Sequence, residues 1–151
     1  MNTAMPHKPS TAFIAASWVA LLLGAAAYLI GLFNAATMAL NEKGYYLTLL
    51  LFGLFAAVSL QKSVRDRVEG IPVSALYYAL CWFALLSALM LLLVGLWNAT
   101  LASSERGFYG MAYALSLFGA VAVQKNTRDL IAAGGGESKR SAVVPPLPEQ
   151  E

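Results

Sequence analysis

Charge in this chain is confined to short clusters, and the stretches between them are long. Pro9 to Asn41, Gly44 to Gln61, Gly70 to Ser104 and Gly107 to Gln124 are charge-free runs of 33, 18, 35 and 18 residues. A hydrocarbon core about 30 Å thick is crossed by roughly 20 apolar residues in a helix, with about 17 as the lower limit. Each run is long enough for one span. Neither long run has a polar turn at its middle, and a turn there would strand backbone N–H and C=O groups in lipid. The economical reading is an all-α integral membrane protein with four transmembrane helices. Composition agrees: only 12% of residues are charged, about half the share in an average soluble domain.

The boundaries follow from breakers and charges. Residues 1–10 read as a cytoplasmic arm. Helix 1 begins near Thr11 or Ala12 and runs past Gly31; helix 2 starts at Tyr45, after Gly44, and ends near Gln61. Pro72 suits the first turn of helix 3, where its missing N–H costs nothing, and that helix runs to about Trp97. Helix 4 covers Phe108 to Gln124. Residues 131–151, rich in Gly and Pro and without apolar periodicity, read as a disordered cytoplasmic tail.

Eight of the ten Lys and Arg residues fall on one side of this layout: Lys8, Lys62, Arg65, Arg67, Lys125, Arg128, Lys139 and Arg140. Positive residues are retained in the cytoplasm, so both termini and the central loop are expected there. Tyr45, Tyr46, Phe108 and Tyr109 stand where an interfacial aromatic belt belongs.

The chain also repeats itself. "GLFNAATMALNEKGYY" from Gly31 is echoed by "GLWNATLASSERGFYG" from Gly95. With a shift of 64 before the loop and 63 after it, Trp18 meets Trp82, Asn34 meets Asn98, Glu42 meets Glu105, and Gly44 meets Gly107. The register continues through Gln61-Lys62 and Gln124-Lys125 to Arg65-Asp66 and Arg128-Asp129. Because Trp18 has a counterpart inside a clear span, helix 1 belongs to the folded unit and is not expected to be cleaved as a signal peptide. Residues 11–69 and 70–130 are thus two tandem helical hairpins. An even number of spans makes the repeats parallel, related by a pseudo-twofold axis along the membrane normal.

Those two phrases, with "LSLFGAVAVQKNTRD" from Leu115, resemble the YiaA/YiaB-type bacterial inner-membrane proteins, whose defining unit is a two-helix domain. The resemblance covers Ser10 to Asp129 and implies a multi-pass protein of the bacterial inner (plasma) membrane carrying two copies of that unit. It supplies no activity, catalytic residue or cofactor.

Polar residues fixed within apolar sequence are the candidate sites. Asn34 and Asn98 are expected to hydrogen-bond across their hairpins, worth on the order of 1 kcal/mol each; the sharper alternative is a solute site on the axis. Glu42 and Glu105, placed just before a helix start, suit the positive end of its dipole. Gly44 and Gly107 permit a tight turn with positive φ. Gln61, Lys62, Arg65 and Asp66, repeated as Gln124, Lys125, Arg128 and Asp129, put Lys and Arg on one side of a helix end. That pattern serves the topology signal, or a paired basic site for anionic lipid headgroups or a cytoplasmic partner.

No nucleophile with a base, no metal-ligand cluster and no cofactor fingerprint is present in the sequence, so an enzyme is the least expected class. Cys81 is alone and reads as a small packing residue. A net charge of +2 scattered over loops does not suit nucleic acid. The expected function is a structural or interaction module that contacts the lipid bilayer and assembles as a homo-oligomer or with another membrane protein. The alternative is a small oligomeric transporter or channel for a neutral solute. Against it, no Asp, Glu, Lys, Arg or His lies deep in a span, where coupled transporters place one.

Overall fold

The computed structural model describes residues 8–143. It contains α1 (Thr11–Asn34), α2 (Leu40–Val68), α3 (Ala75–Asn98) and α4 (Ser103–Val143). All four are long and apolar enough to cross a membrane. The 24 residues of α1 or α3 make a rod of about 36 Å, more than the hydrocarbon thickness. The outer surface is correspondingly apolar: Phe55, Leu76, Phe83 and Trp97 are largely exposed, as lipid-facing side chains are.

Each copy of the repeat starts and joins its helices in the same way. Ser10 and Ser74 are N-caps whose Oγ atoms accept the N–H of Phe13 at 3.3 Å and of Tyr77 at 3.2 Å. Such caps satisfy one of the free donors at a helix start. Glu42 and Glu105 sit inside the first turns of α2 and α4, where Oε2 accepts the N–H of Ala39 at 2.7 Å and of Ala102 at 2.8 Å. This is the carboxylate half of a capping box, and it starts both helices about one turn earlier than the sequence suggests. Gly44 and Gly107 are therefore helical residues, not turn residues with positive φ; among the described residues only Gly70 has a positive φ, 75°. Gly70 closes α2 in a Schellman motif: its N–H bonds Arg67 O at 3.2 Å and the next N–H, of Ile71, bonds Asp66 O at 2.8 Å.

Both even-numbered helices also outrun their expected ends. α2 continues past Gln61 to Val68, and α4 past Gln124 to Val143, so the stretch 131–143 expected to be disordered is helical. Once a helix is nucleated, each further residue adds a backbone bond at little cost. Residues 1–7 of the arm and 144–151 of the tail lie outside the described residues.

The fold class stands as four helices built from a two-helix unit used twice, but the packing partners are exchanged. α1 lies along α4, α3 lies along α2, and α2 meets α4 between them. α1 and α2, although joined by a short loop, touch little, and so do α3 and α4. The spatial order is α1, α4, α2, α3, and each copy's first helix packs on the other copy's second.

Bare backbone makes the α1/α4 contact close. A Cβ added at Gly24 would stand 2.7 Å from Ser116 N, and one at Gly119 would collide with the backbone of Leu21. At the α2/α4 contact, Gly53 makes room for the Tyr113 hydroxyl, which donates to Leu49 O at 3.1 Å. Tyr28 donates to Tyr46 O, also at 3.1 Å. Around them the rings of Tyr28, Tyr46, Tyr109 and Tyr113 fill the bundle's interior. Tyr46 and Tyr109 are thus core residues and not members of an interfacial belt; Tyr45 and Phe108, beside them, are partly exposed.

Candidate functional site

The densest polar arrangement lies at the end of the bundle that carries the basic residues. Here residues 62–69 of α2 lie against residues 125–129 of α4, which continues beyond them. Lys62 and Asp66 are one turn apart on α2 and pair at 2.8 Å; their repeat equivalents Lys125 and Asp129 pair on α4 at 2.9 Å. The arginines cross between copies. Arg65 Nη2 donates to Asp129 Oδ1 at 2.5 Å, and Arg128 Nη2 donates to Asp66 Oδ1 at 2.6 Å. Glu69 accepts from both arginines, at 2.6 Å from Arg65 Nε and 2.9 Å from Arg128 Nη2.

The result is a reciprocal ion lattice about the pseudo-twofold axis. Asp66 is 5% exposed, so each carboxylate is shielded and held by two cations. Charge-assisted bonds of this kind are about twice as strong as neutral ones. Lys62 and Lys125 are the members left facing outward, with more than half of each side chain exposed. Gln61 and Gln124, at equivalent places above the lattice, each bury Oε1 without a protein partner. Beside them Asn126, 2% exposed, donates Nδ2 to Ser17 Oγ at 3.0 Å across the α1/α4 contact.

The asparagines singled out in the sequence do something else. Asn34 and Asn98 are exposed, and each donates to a carbonyl of its own helix one turn back, Ile30 O at 2.9 Å and Val94 O at 2.8 Å. They do not bridge their hairpins. The physical reason is the exchange of partners: the helix that an Asn at the end of α1 was expected to reach is not the one packed on α1. Each Asn instead lines a shallow cavity with the Glu of the other copy. Asn34, Gly31, Glu105 and Tyr109 border one of about 430 Å³; Asn98, Gly95, Glu42 and Tyr46 border its twin of about 220 Å³. Lys43 and Arg106 cover the helix ends nearby, donating to Phe33 O at 3.0 Å and Ala99 O at 2.9 Å.

Sequence reasoning missed Asn126, whose place in the first copy is taken by Ser63, so the repeat gave no signal; Tyr46 and Tyr109 were visible, but their depth was not.

A family model for the yiaA/B two helix domain matches the chain twice, over residues 13–66 and 77–129. The chain belongs to the yiaA/B two-helix family. Each match begins just after the Ser cap of one copy and ends at or beside its lattice aspartate, so the yiaA/B unit contains every residue of the crossed arginine–aspartate pairs. The chain is 59% identical to the inner membrane protein YiaA of Escherichia coli (strain K12) over 128 residues, covering 83% of this chain and 88% of that protein. It is 35% identical over 69 residues to the uncharacterized membrane protein YubF of Bacillus subtilis (strain 168), covering 46% of this chain and 79% of that one. No solved structure matches. Family, repeat and four spanning helices together make this a multi-pass yiaA/B membrane protein.

Proposed function

We propose that this protein is a structural or interaction module of the bacterial inner membrane and does no covalent chemistry. Its termini and the α2–α3 loop lie on the cytoplasmic side, as the placement of its basic residues favours. The observation that carries the reading is the crossed lattice: Arg65 and Asp66, repeated as Arg128 and Asp129, are spent on holding the copies together. Lys62 and Lys125, facing outward from it, suit anionic lipid headgroups. The apolar outer surface meets lipid and supplies the contact for a homo-oligomer or another membrane protein. Among the described residues, no three His, Cys, Asp or Glu side chains gather as metal ligands.

A second reading, an oligomeric carrier or channel for a neutral solute, draws on the twin cavities of Asn34 with Glu105 and Asn98 with Glu42. The tyrosine cluster beneath them closes the axis of a single chain, which favours the module.

Native mass spectrometry of the protein in membrane-derived nanodiscs tests the two. The module predicts a defined oligomer with no non-lipid small molecule attached. A reproducible small non-lipid mass, lost when Glu42 and Glu105 are changed to Gln, would overturn it in favour of the solute reading.

A further inference from the structure

The two copies are nearly the same in sequence, yet they pack differently on the outer helices. Where α1 meets α4, Gly24 and Gly119 leave backbone against backbone. The equivalent positions where α3 meets α2 are Ala88 and Ala56, both fully buried. Two methyl groups therefore stand in a contact that its twin makes without any. α3 accordingly makes the shorter contact of the two, and a crevice of about 360 Å³ opens between α2 and α3.

Phe52, Phe55 and Ser59 of α2 form one wall; Tyr77, Cys81 and Ser87 of α3 form the other. The lining runs from the middle of the span toward the basic end, so the crevice lies at hydrocarbon depth and opens sideways to the bilayer. Its lining is predominantly apolar, and at hydrocarbon depth the body at hand to fill it is a lipid alkyl chain. Lys62 follows Ser59 by three residues and Phe55 by seven, which puts it on the same helix face just beyond the crevice's mouth. There its ammonium, more than half exposed, retains donors beyond the one given to Asp66.

We infer that the α2/α3 crevice is a binding site for one anionic phospholipid, with an acyl chain between Phe55 and Cys81 and the phosphate at Lys62. On the α1/α4 side Gly24 and Gly119 bring the backbones together at the equivalent positions, so one lipid per chain is expected and not two. The site takes its shape from the facing side chains of α2 and α3, Ala56 among them, and its headgroup preference from one lysine.

The test is native mass spectrometry of the full chain, delipidated in mild detergent and titrated with phosphatidylglycerol or phosphatidylethanolamine. One phosphatidylglycerol should bind per chain, in about fivefold preference to the zwitterionic lipid, as one lysine near anionic headgroups provides. Ser87→Trp, which fills the crevice, should abolish binding of both lipids. Leu23→Trp, at the equivalent place on the closed side, should leave it unchanged. Lys62→Gln should keep one bound lipid and lose the headgroup preference. If Ser87→Trp does not assemble, Ser59→Leu narrows the same crevice with less bulk and should weaken binding. Equal retention by Ser87→Trp or Ser59→Leu and the parent protein overturns the site. Equal binding of the two lipids by the parent overturns its anionic character.

Discussion

Arg65 on α2 and Asp129 on α4, separated by most of the second repeat in sequence, are joined at 2.5 Å, and Arg128 returns the contact to Asp66 at 2.6 Å. Each copy of the repeat thus supplies the cation for the other's carboxylate. Removing one partner of a shielded pair leaves the other charge uncompensated, which costs more than the pair itself contributes. Asp129→Asn should therefore destabilise the assembled fold by about 1–3 kcal/mol, measured by reversible unfolding in mixed micelles. The double change Arg65→Gln with Asp129→Asn should cost less than the sum of the two single changes, with a coupling energy of about 0.5–3 kcal/mol. Additive single effects would remove the crossed pair as a stabilising contact.

The glycines separate into two kinds. Gly24 faces the α4 backbone, whereas an added Cβ at Gly44 meets nothing within 4 Å. Gly24→Val should cost about 1–3 kcal/mol or more by overpacking. Gly44→Ala, in a helix interior with open space, should be neutral or stabilise by up to about 1 kcal/mol. A loss at Gly44 as large as that at Gly24 would contradict the placement of Gly44 within α2.

The asparagines supply a third test. Because Asn34 and Asn98 bond only to their own helices, the double change to Leu should alter stability by no more than about 0.5 kcal/mol, the usual range for a surface substitution. A loss of several times that would restore a cross-helix role.

The exchange of partners is open to cross-linking. With Cys81 replaced by Ala, Ser17→Cys with Asn126→Cys should be joined within one chain by a short thiol-reactive cross-linker, since the native side chains meet at 3.0 Å. Ser17→Cys with Ser63→Cys, the pair at the same depth within the first repeat, should not. Efficient linkage of the second pair would mean that each repeat closes on itself.

By itself the sequence determined the number of spans, the duplication and the family, because these depend on local quantities. A charge-free run long enough to cross lipid is readable from composition, and a repeat from alignment. It also marked Arg65, Asp66, Arg128 and Asp129 by their repetition, as a topology signal or a paired basic site, without showing that the arginines cross between copies. It misplaced Glu42, Gly44 and the ends of α2 and α4, where one cap hydrogen bond moves a boundary by a turn and apolar periodicity gives no warning.

Only the tertiary structure decided which helices touch. Either pairing, within a copy or between copies, buries similar apolar faces, and in lipid the hydrophobic effect does not choose between them. The choice falls to close backbone approach at Gly24 and Gly119, to Tyr113 filling the space over Gly53, and to arginines long enough to reach the other copy's aspartate. Those are relations between residues far apart in the chain, which local sequence does not encode.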